Sequence, residues 1–166
     1  LPPDEVPLVC TEFGKPILAP PFDSIHFNLS HCPDLAVVAM GTDGPVGIDV
    51  ERFDRAVDLL ECESTFCHPE EIQRLPDEAS LRARQLLRIW TAKEAVLKAL
   101  GTGLSHPPES TRIIFTSPTG RAVSDHPLAG IEIQRIHELS APDLKGYRGF
   151  VSVPDSVRSI KILSGT

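Results

Sequence analysis

The 166-residue sequence lacks any apolar run of the roughly 18 residues that a membrane-spanning helix needs, so an integral membrane protein is not expected. It also lacks a dense cluster of basic residues, since 16 Lys and Arg stand against 23 Asp and Glu for a net charge of −7. Nucleic-acid binding depends on a concentrated basic surface, so no nucleic-acid partner is expected either. The first seven residues have no basic n-region and no apolar core, so we expect no secretory signal in them.

The four cysteines, at positions 10, 32, 62 and 67, form no CxxC pair and have no zinc-type spacing. This pattern favours reduced thiols in a cytoplasmic protein and does not indicate a disulfide. The chain does not begin with Met, which predicts a processed or truncated polypeptide.

What is present fits one globular domain, because 41% of the residues are hydrophobic and 16 are proline. Many of the prolines precede residue 24. We therefore predict a proline-rich N-terminal segment over residues 1–24 and a folded domain over residues 25–166.

Two apolar runs, residues 35–40 and 45–51, flank a Gly- and Asp-rich turn and predict a β-hairpin. Such a hairpin would place His31 at the same end as two acidic residues, Asp49 and Glu51. These two acids are separated by one residue, so on a strand their side chains lie on the same face.

A long helix is predicted over residues 78–100, with Asp77 as its cap and Gly101 as its end. Its apolar stripe includes Glu94, a carboxylate that needs a partner if it is buried. Shorter helical segments are predicted at residues 54–62 and after His68. Further strands are predicted at residues 111–116, 130–139, 146–153 and 157–163. This order predicts an α+β fold with a mainly antiparallel sheet packed on one long helix.

Asp49, Glu51 and Glu94 together would supply three oxygen ligands for a magnesium ion that also binds substrate phosphate. The alternative is equally compatible with the spacing. In it, Asp49 and Glu51 form the solvated face of an edge strand, and Glu94 pairs with Arg88 or Lys98 on its own helix.

Lys98 follows Glu94 by one helical turn, so the pair is either an ordinary i, i+4 ion pair or a site at which Lys98 reaches a bound phosphate. His31 is either a surface residue or a phosphate ligand. Ser30, His31 and Asp49 could form a hydrolytic triad, but no nucleophile elbow surrounds Ser30.

At these residues the sequence resembles the 4′-phosphopantetheinyl transferases of the Sfp-like, surfactin-synthetase-activating type. Three motifs of that family occur in order and cover residues 14–104. They are GKP at 14–16 with FNLSH at 27–31, then VGIDVE at 46–51, then WTAKEAVLK at 90–98.

The resemblance implies transfer of the phosphopantetheine arm of coenzyme A to a serine of an apo acyl or peptidyl carrier protein, with release of adenosine 3′,5′-bisphosphate. It implies magnesium ligands at Asp49, Glu51 and Glu94, with Glu94 also as the base that deprotonates the serine. It further implies coenzyme A phosphate contacts for the following residues: Lys15, Ser30, His31 and Lys98.

Members of this type have an additional pseudo-symmetric lobe before the GKP segment, for which only thirteen residues remain here. The resemblance therefore implies a truncated chain, or a lobe supplied by a second copy or another polypeptide. A magnesium-dependent phosphohydrolase and a non-catalytic half-subunit that binds coenzyme A or a carrier stay open as alternatives. For carrier docking the sequence offers Arg82, Arg84 and Arg88, which could equally be solvated residues of the helix.

Overall fold

The computed structural model describes residues 1–116, 119–124 and 134–164. Three α-helices lie in this part of the chain: α1 (Glu63–Phe66), α2 (Pro69–Ile72) and α3 (Ala79–Leu100). Its strands are β1 (Leu8–Cys10), β2 (Pro16–Leu18), β3 (His26–Cys32), β4 (Leu35–Gly41), β5 (Gly47–Arg52), β6 (Thr111–Thr116), β7 (Thr119–Ser124), β8 (Gln134–Glu138) and β9 (Tyr147–Pro154). A nine-residue 3-10 helix, Phe53–Glu61, follows β5. None of the described helices is long and apolar enough to cross a bilayer.

The largest sheet is antiparallel and has the order β5-β9-β8-β7-β6. Helix α3 packs on this sheet, chiefly against β5 and β9. The core between them contains Ala92, Val96, Ile136 and Phe150, all almost fully buried. The predicted α+β class, with an antiparallel sheet on one long helix, is confirmed.

Helix α3 is the predicted long helix, and it ends at Gly101 as expected. Gly101 has a φ of 74°, a left-handed conformation that glycine adopts without steric cost. The predicted cap, Asp77, is wrong by one residue. The Glu78 side chain accepts hydrogen bonds from the amides of Ser80 and Leu81 instead.

The predicted hairpin of residues 35–40 with 45–51 is wrong. Strand β4 pairs with the preceding strand β3, and β5 pairs with β9, about a hundred residues later. The physical reason is burial: both faces of β5 are covered from Gly47 to Val50, whereas β4 alternates between half-buried and exposed residues. Because β5 is covered on both faces, it pairs within the main sheet under α3. The turn signal before it reports only on neighbouring residues and could not predict this.

Other predicted strands have mixed outcomes. Residues 111–116 form β6, and residues 146–153 correspond to β9. Of the stretch 130–139, residues 134–138 form β8, while 130–133 lie outside the described residues. Residues 157–163 form no strand: Val157 packs on the cluster of β5 and β9, and the side chains that follow it are exposed. Strand β7 was not predicted, since Gly120 indicates a turn.

The proline-rich segment contains a short hairpin, in which β1 and β2 pair from Leu8 opposite Leu18 to Cys10 opposite Pro16. This hairpin is attached to the end of α3 by Lys15, whose Nζ donates to the carbonyl oxygen of Ala99 at 2.8 Å. The segment therefore packs on the domain as a small sheet. The boundary at residue 24 remains a prediction.

Candidate functional site

Strand β5 lies unusually close to α3, and Gly47 is the reason. A Cβ built on Gly47 would be 2.0 Å from the Ala95 carbonyl oxygen and 2.3 Å from the Ala99 amide nitrogen. No side chain fits at such distances, so only glycine permits this approach. The contact brings Asp49, two residues further along β5, next to Lys98 on the helix.

Asp49 is a buried carboxylate with one satisfied and one unsatisfied oxygen. Its residue is only 3% exposed. Its Oδ1 accepts hydrogen bonds from Lys98 Nζ at 2.6 Å and from Ser30 Oγ at 2.9 Å. Its Oδ2 is buried and has no hydrogen-bond partner. Burial raises the pKa of the Asp49 carboxyl above its usual value, against the lowering effect of Lys98.

This arrangement corrects the alternative interpretation of the sequence. Asp49 does not lie on a solvated strand face, and Lys98 pairs with Asp49 across to β5 instead of with Glu94 along its own helix. Arg88 is likewise occupied elsewhere, since it pairs with Glu138 on β8.

Glu94 is half-buried on α3 beside this pair. Burial raises the pKa of the Glu94 carboxyl, and the negative charge of Asp49 raises it further, with a smaller contribution from Glu51. No hydrogen bond contributes to this shift. The three acids are thus close enough for their charges to interact, as a shared cation site requires.

Glu51 completes the acidic group at the end of β5. Its Oε1 accepts hydrogen bonds from Arg55 at 2.6 Å and from the indole nitrogen of Trp90 at 3.2 Å. Sequence analysis included Trp90 in the third motif but gave it no contact with the acids, and it did not consider Arg55. The Arg55 contact depends on the 3-10 helix after β5, which the sequence indicated only as a helical segment, and the Trp90 contact depends on the packing of α3 against β5.

The residues present fit a divalent cation in their chemistry. The orphaned Asp49 Oδ2 is a buried oxygen that a cation would satisfy, and carboxylates are the ligands that magnesium prefers. In the described part of the chain, however, no three His, Cys, Asp or Glu side chains are already arranged around one metal position. Lys98 and Arg55 hold Asp49 and Glu51 instead.

Ser30 reaches the site from β3 because side chains of that strand cover the free edge of β5. Asn28 Oδ1 accepts from the Ile48 amide at 2.8 Å, and Ser30 Oγ accepts from the Val50 amide at 3.2 Å. Sequence analysis missed the role of Asn28. The alternation of Asn28 and Ser30 along one strand face was the available signal.

His31 is exposed and lies on the face of β3 opposite to the buried Asn28 and Ser30. The hairpin from which its position was predicted does not form. Its neighbours Ser30 and Cys32 nevertheless both contact Val50 of β5, between the two acids, so a role for His31 stays a prediction.

Lys15 lies at the C-terminal end of α3, where its Nζ also donates to the Val46 carbonyl oxygen at 3.1 Å. Burial lowers the pKa of Lys15 to about 8. A cavity of about 420 Å³ opens beside it, lined among others by Phe13, Phe27 and Leu100. This cavity joins the N-terminal hairpin, β3 and the end of α3.

The three arginines considered for carrier docking do not form one free basic surface. Arg82 makes two hydrogen bonds to Glu63, at 2.8 and 2.7 Å. Arg88 pairs with Glu138 and stacks over Phe115 at 3.8 Å. Arg84 is exposed.

Comparison with known proteins gives the family. A family model described as the 4′-phosphopantetheinyl transferase superfamily matches residues 45–148, which include Asp49, Glu51, Glu94 and Lys98. The chain belongs to the 4′-phosphopantetheinyl transferase superfamily. This confirms the resemblance stated from the three motifs.

Curated relatives of this superfamily include the 4′-phosphopantetheinyl transferase HetI of Nostoc, 39% identical over a 97-residue alignment that covers 55% of this chain and 40% of HetI. The 4′-phosphopantetheinyl transferase gsp of Aneurinibacillus migulanus is 36% identical, over 60% of this chain and 40% of gsp. Sfp of Bacillus subtilis is 30% identical, over 60% of this chain and 43% of Sfp. The matches span about two fifths of the length of these relatives.

Among solved structures, the holo-[acyl-carrier-protein] synthase of Thermotoga maritima has a similar fold, with a TM-score of 0.52. The similarity covers 66% of this chain and 62% of that protein, at 18% sequence identity. The superfamily fold that the sequence predicted is therefore confirmed.

Proposed function

We propose that this phosphopantetheinyl transferase domain transfers the 4′-phosphopantetheine of coenzyme A to a serine hydroxyl of an apo acyl or peptidyl carrier protein in the cytoplasm. The single observation that carries the proposal is the convergence of Asp49, Glu94 and Lys98 where β5 meets α3. Two interacting carboxylates beside an ammonium group suit a reaction at a pyrophosphate, in which negative charge must be bound and moved.

In this proposal Asp49, Glu51 and Glu94 would hold a magnesium ion, which would supply positive charge to the pyrophosphate of coenzyme A. The orphaned Asp49 Oδ2 supports this assignment. The magnesium ion and the coenzyme A are both components of the proposed reaction.

Glu94 is the proposed base. Its half-buried carboxylate lies on α3 beside Asp49 and Lys98, where the phosphate and the serine would meet. It would accept the proton of the carrier serine, directly or through water. The serine oxygen would form a bond to the phosphorus next to the pantetheine, and the bond to the bridging oxygen would break. Adenosine 3′,5′-bisphosphate would leave with the electron pair.

Lys98 is proposed to bind a phosphate of coenzyme A. An ammonium group has three N–H donors, and Lys98 uses two of them here, on Asp49 and on Ser30 at 3.3 Å. The third is available to an anion. Ser30 and His31 are proposed as further phosphate contacts, although only Ser30 lies beside Asp49 in this structure.

The cavity beside Lys15 is the proposed place for part of the coenzyme A. Its lining combines an ammonium group with apolar and aromatic side chains, a composition suited to a nucleotide. Lys15 also has one N–H left after its bonds to Val46 and Ala99.

The test is to incubate the 166-residue chain with coenzyme A, magnesium and an apo acyl carrier protein, and to look for the phosphopantetheine mass increment on the carrier. We expect the increment with the wild type and its loss with Glu94→Gln. Glu61→Gln, an exposed carboxylate outside the site, is the matched control and should retain it.

Two further measurements on the same protein, coenzyme A binding by calorimetry and phosphodiester hydrolysis, separate the remaining candidate functions. Binding of coenzyme A without any mass increment would support a non-catalytic half-subunit and contradict catalysis by this chain. Magnesium-dependent hydrolysis of a phosphodiester without a carrier would support the phosphohydrolase.

A further inference from the structure

Each of the two β5 carboxylates in the acidic group is neutralised by a cationic side chain of the same protein. Asp49 is 2.6 Å from Lys98, and Glu51 is 2.6 Å from Arg55. The two cations differ in their surroundings. The Lys98 side chain is 29% exposed, whereas the Arg55 side chain is 47% exposed.

Arg55 is also outside the three motifs that indicate the family. It reaches Glu51 because it lies four residues later, on the 3-10 helix Phe53–Glu61. Its guanidinium lies 6.0 Å from the centre of the Trp90 ring. Trp90 donates its indole N–H to the same oxygen, Glu51 Oε1.

We propose that Arg55 is a resident counter-cation of Glu51 whose positive charge opposes the binding of a divalent ion, so that Arg55 lowers the affinity of the site for magnesium. This inference rests on the proposed magnesium site. The Glu51 side chain is only 12% exposed, but the Arg55 side chain is 47% exposed, so the guanidinium can move into solvent at small cost. Without the metal, it neutralises a carboxylate that otherwise faces two neighbouring acids.

Trp90 has the complementary role of a positioning residue. Its N–H is neutral, so it fixes Glu51 Oε1 without competing electrostatically with a cation, and Oε2 stays available. Trp90 is also the only tryptophan of the chain. Its fluorescence therefore reports on the surroundings of one indole, which include Glu51, Arg55 and Phe66.

The experiment titrates the full chain with magnesium, without coenzyme A, by calorimetry and by tryptophan emission. We expect Arg55→Gln to bind magnesium about two- to fivefold more tightly than the wild type, the effect of removing one partly exposed charge contact. Arg55→Lys keeps the charge and should stay close to the wild type.

Arg52→Gln is the matched control. Arg52 is almost equally exposed, at 44% of its side chain, but it pairs with Asp34 and Asp54 instead of Glu51. The Arg52→Gln variant removes the same charge from the same region but not from Glu51, so we expect its magnesium affinity to change by less than twofold. Asp49→Asn should abolish both the heat and the change in emission.

An Arg55→Gln affinity equal to or weaker than that of the wild type would overturn this inference and leave the proposed function standing. An equal gain in Arg52→Gln would overturn it too, because the effect would then be one of net charge. If no variant and no wild type binds magnesium, or if Asp49→Asn binds it as well as the wild type, the magnesium site itself is wrong.

Discussion

Helix α3 carries two lysine–carboxylate pairs five residues apart, and they are built differently. Lys93 Nζ lies 2.7 Å from Glu71, with side chains 1% and 5% exposed. Lys98 Nζ lies 2.6 Å from Asp49, with side chains 29% and 5% exposed. The distances are alike, so distance does not separate a structural pair from a functional one.

The difference lies in how completely the polar atoms are satisfied. Lys93 Nζ also donates to the carbonyl oxygens of Phe66 and Pro108, at 2.7 and 3.0 Å. Glu71 accepts from the amides of His68 and Ile113, at 2.8 and 2.7 Å. Every oxygen and donor has a partner, so this pair fastens α2 and the start of β6 to α3.

The Asp49 pair is incomplete by comparison. Asp49 Oδ2 has no partner, and Lys98 keeps one donor free in a more exposed position. A closed buried pair stabilises a single structure, whereas a buried polar atom left without a partner calls for an explanation, such as a bound ion or a catalytic role. We therefore assign the first pair to stability and propose the second for the site.

Removing Lys93 should have the largest effect on stability. Lys93→Met leaves Glu71 buried without its cation, and the loss of one partner of a buried ion pair costs about 3 kcal/mol or more. Denaturant unfolding followed by circular dichroism measures this. A loss below about 1 kcal/mol would contradict the structural role of the pair.

The second prediction concerns the close packing of β5 on α3. Gly47→Ala places a methyl group on the backbone of Ala95 and Ala99, and overpacking of this kind costs about 1–3 kcal/mol. Because the strand must move, we also expect transfer activity to fall. Gly41→Ala is the control, since its Cβ would meet only Val46 at 3.5 Å, an ordinary contact, and should change little.

Lys98→Met should cost less stability than Lys93→Met, about 1 kcal/mol. The Lys98 side chain is 29% exposed, so solvent screens this pair more than the pair of Lys93, whose side chain is 1% exposed. The same denaturant experiment measures both variants. Equal losses in the two would remove the distinction between the pairs.

The smallest expected effect on stability concerns Lys15. This lysine precedes β2 and contacts the end of α3, and its Nζ donates to carbonyl oxygens instead of a carboxylate. Its pKa is lowered from 10.5 to about 8, so between these pH values the unfolded chain binds more protons than the folded one. Stability from this group therefore rises with pH through that window. Because Lys15 is partly exposed, we expect the gain to stay below about 1 kcal/mol.

Comparison of the wild type with Lys15→Met isolates this contribution from that of other groups that titrate in alkali. The unfolding free energy of the wild type minus that of Lys15→Met should increase as pH rises from 8 to 10.5. A constant difference would show that the pKa of Lys15 is not lowered.

Sequence patterns predicted the parts of this molecule that depend on neighbouring residues. Apolar spacing and Gly101 defined α3, and alternation placed Asp49 and Glu51 on one face of a strand. The partner of β5 could not be predicted in this way. Strand β9 lies far along the chain, and the turn signal after β4 favoured a local hairpin.

The contacts of the site show the same limit. From spacing, Lys98 could pair with Glu94 one turn earlier. It pairs with Asp49 because Gly47 lets β5 approach the helix backbone, a tertiary contact. The contact of Arg55 with Glu51 depends likewise on the turn that follows β5.

The most direct test of the two-pair account is the transfer rate per folded molecule, measured by mass spectrometry of an apo acyl carrier protein, for the wild type, Lys93→Met and Lys98→Met. The temperature must lie below the unfolding midpoint of each variant. We predict that Lys98→Met loses at least about tenfold in rate although it is folded, the scale of one lost transition-state contact. The folded fraction of Lys93→Met should keep a rate close to that of the wild type. No transfer by the wild type, or an equal loss in both variants, would contradict the account.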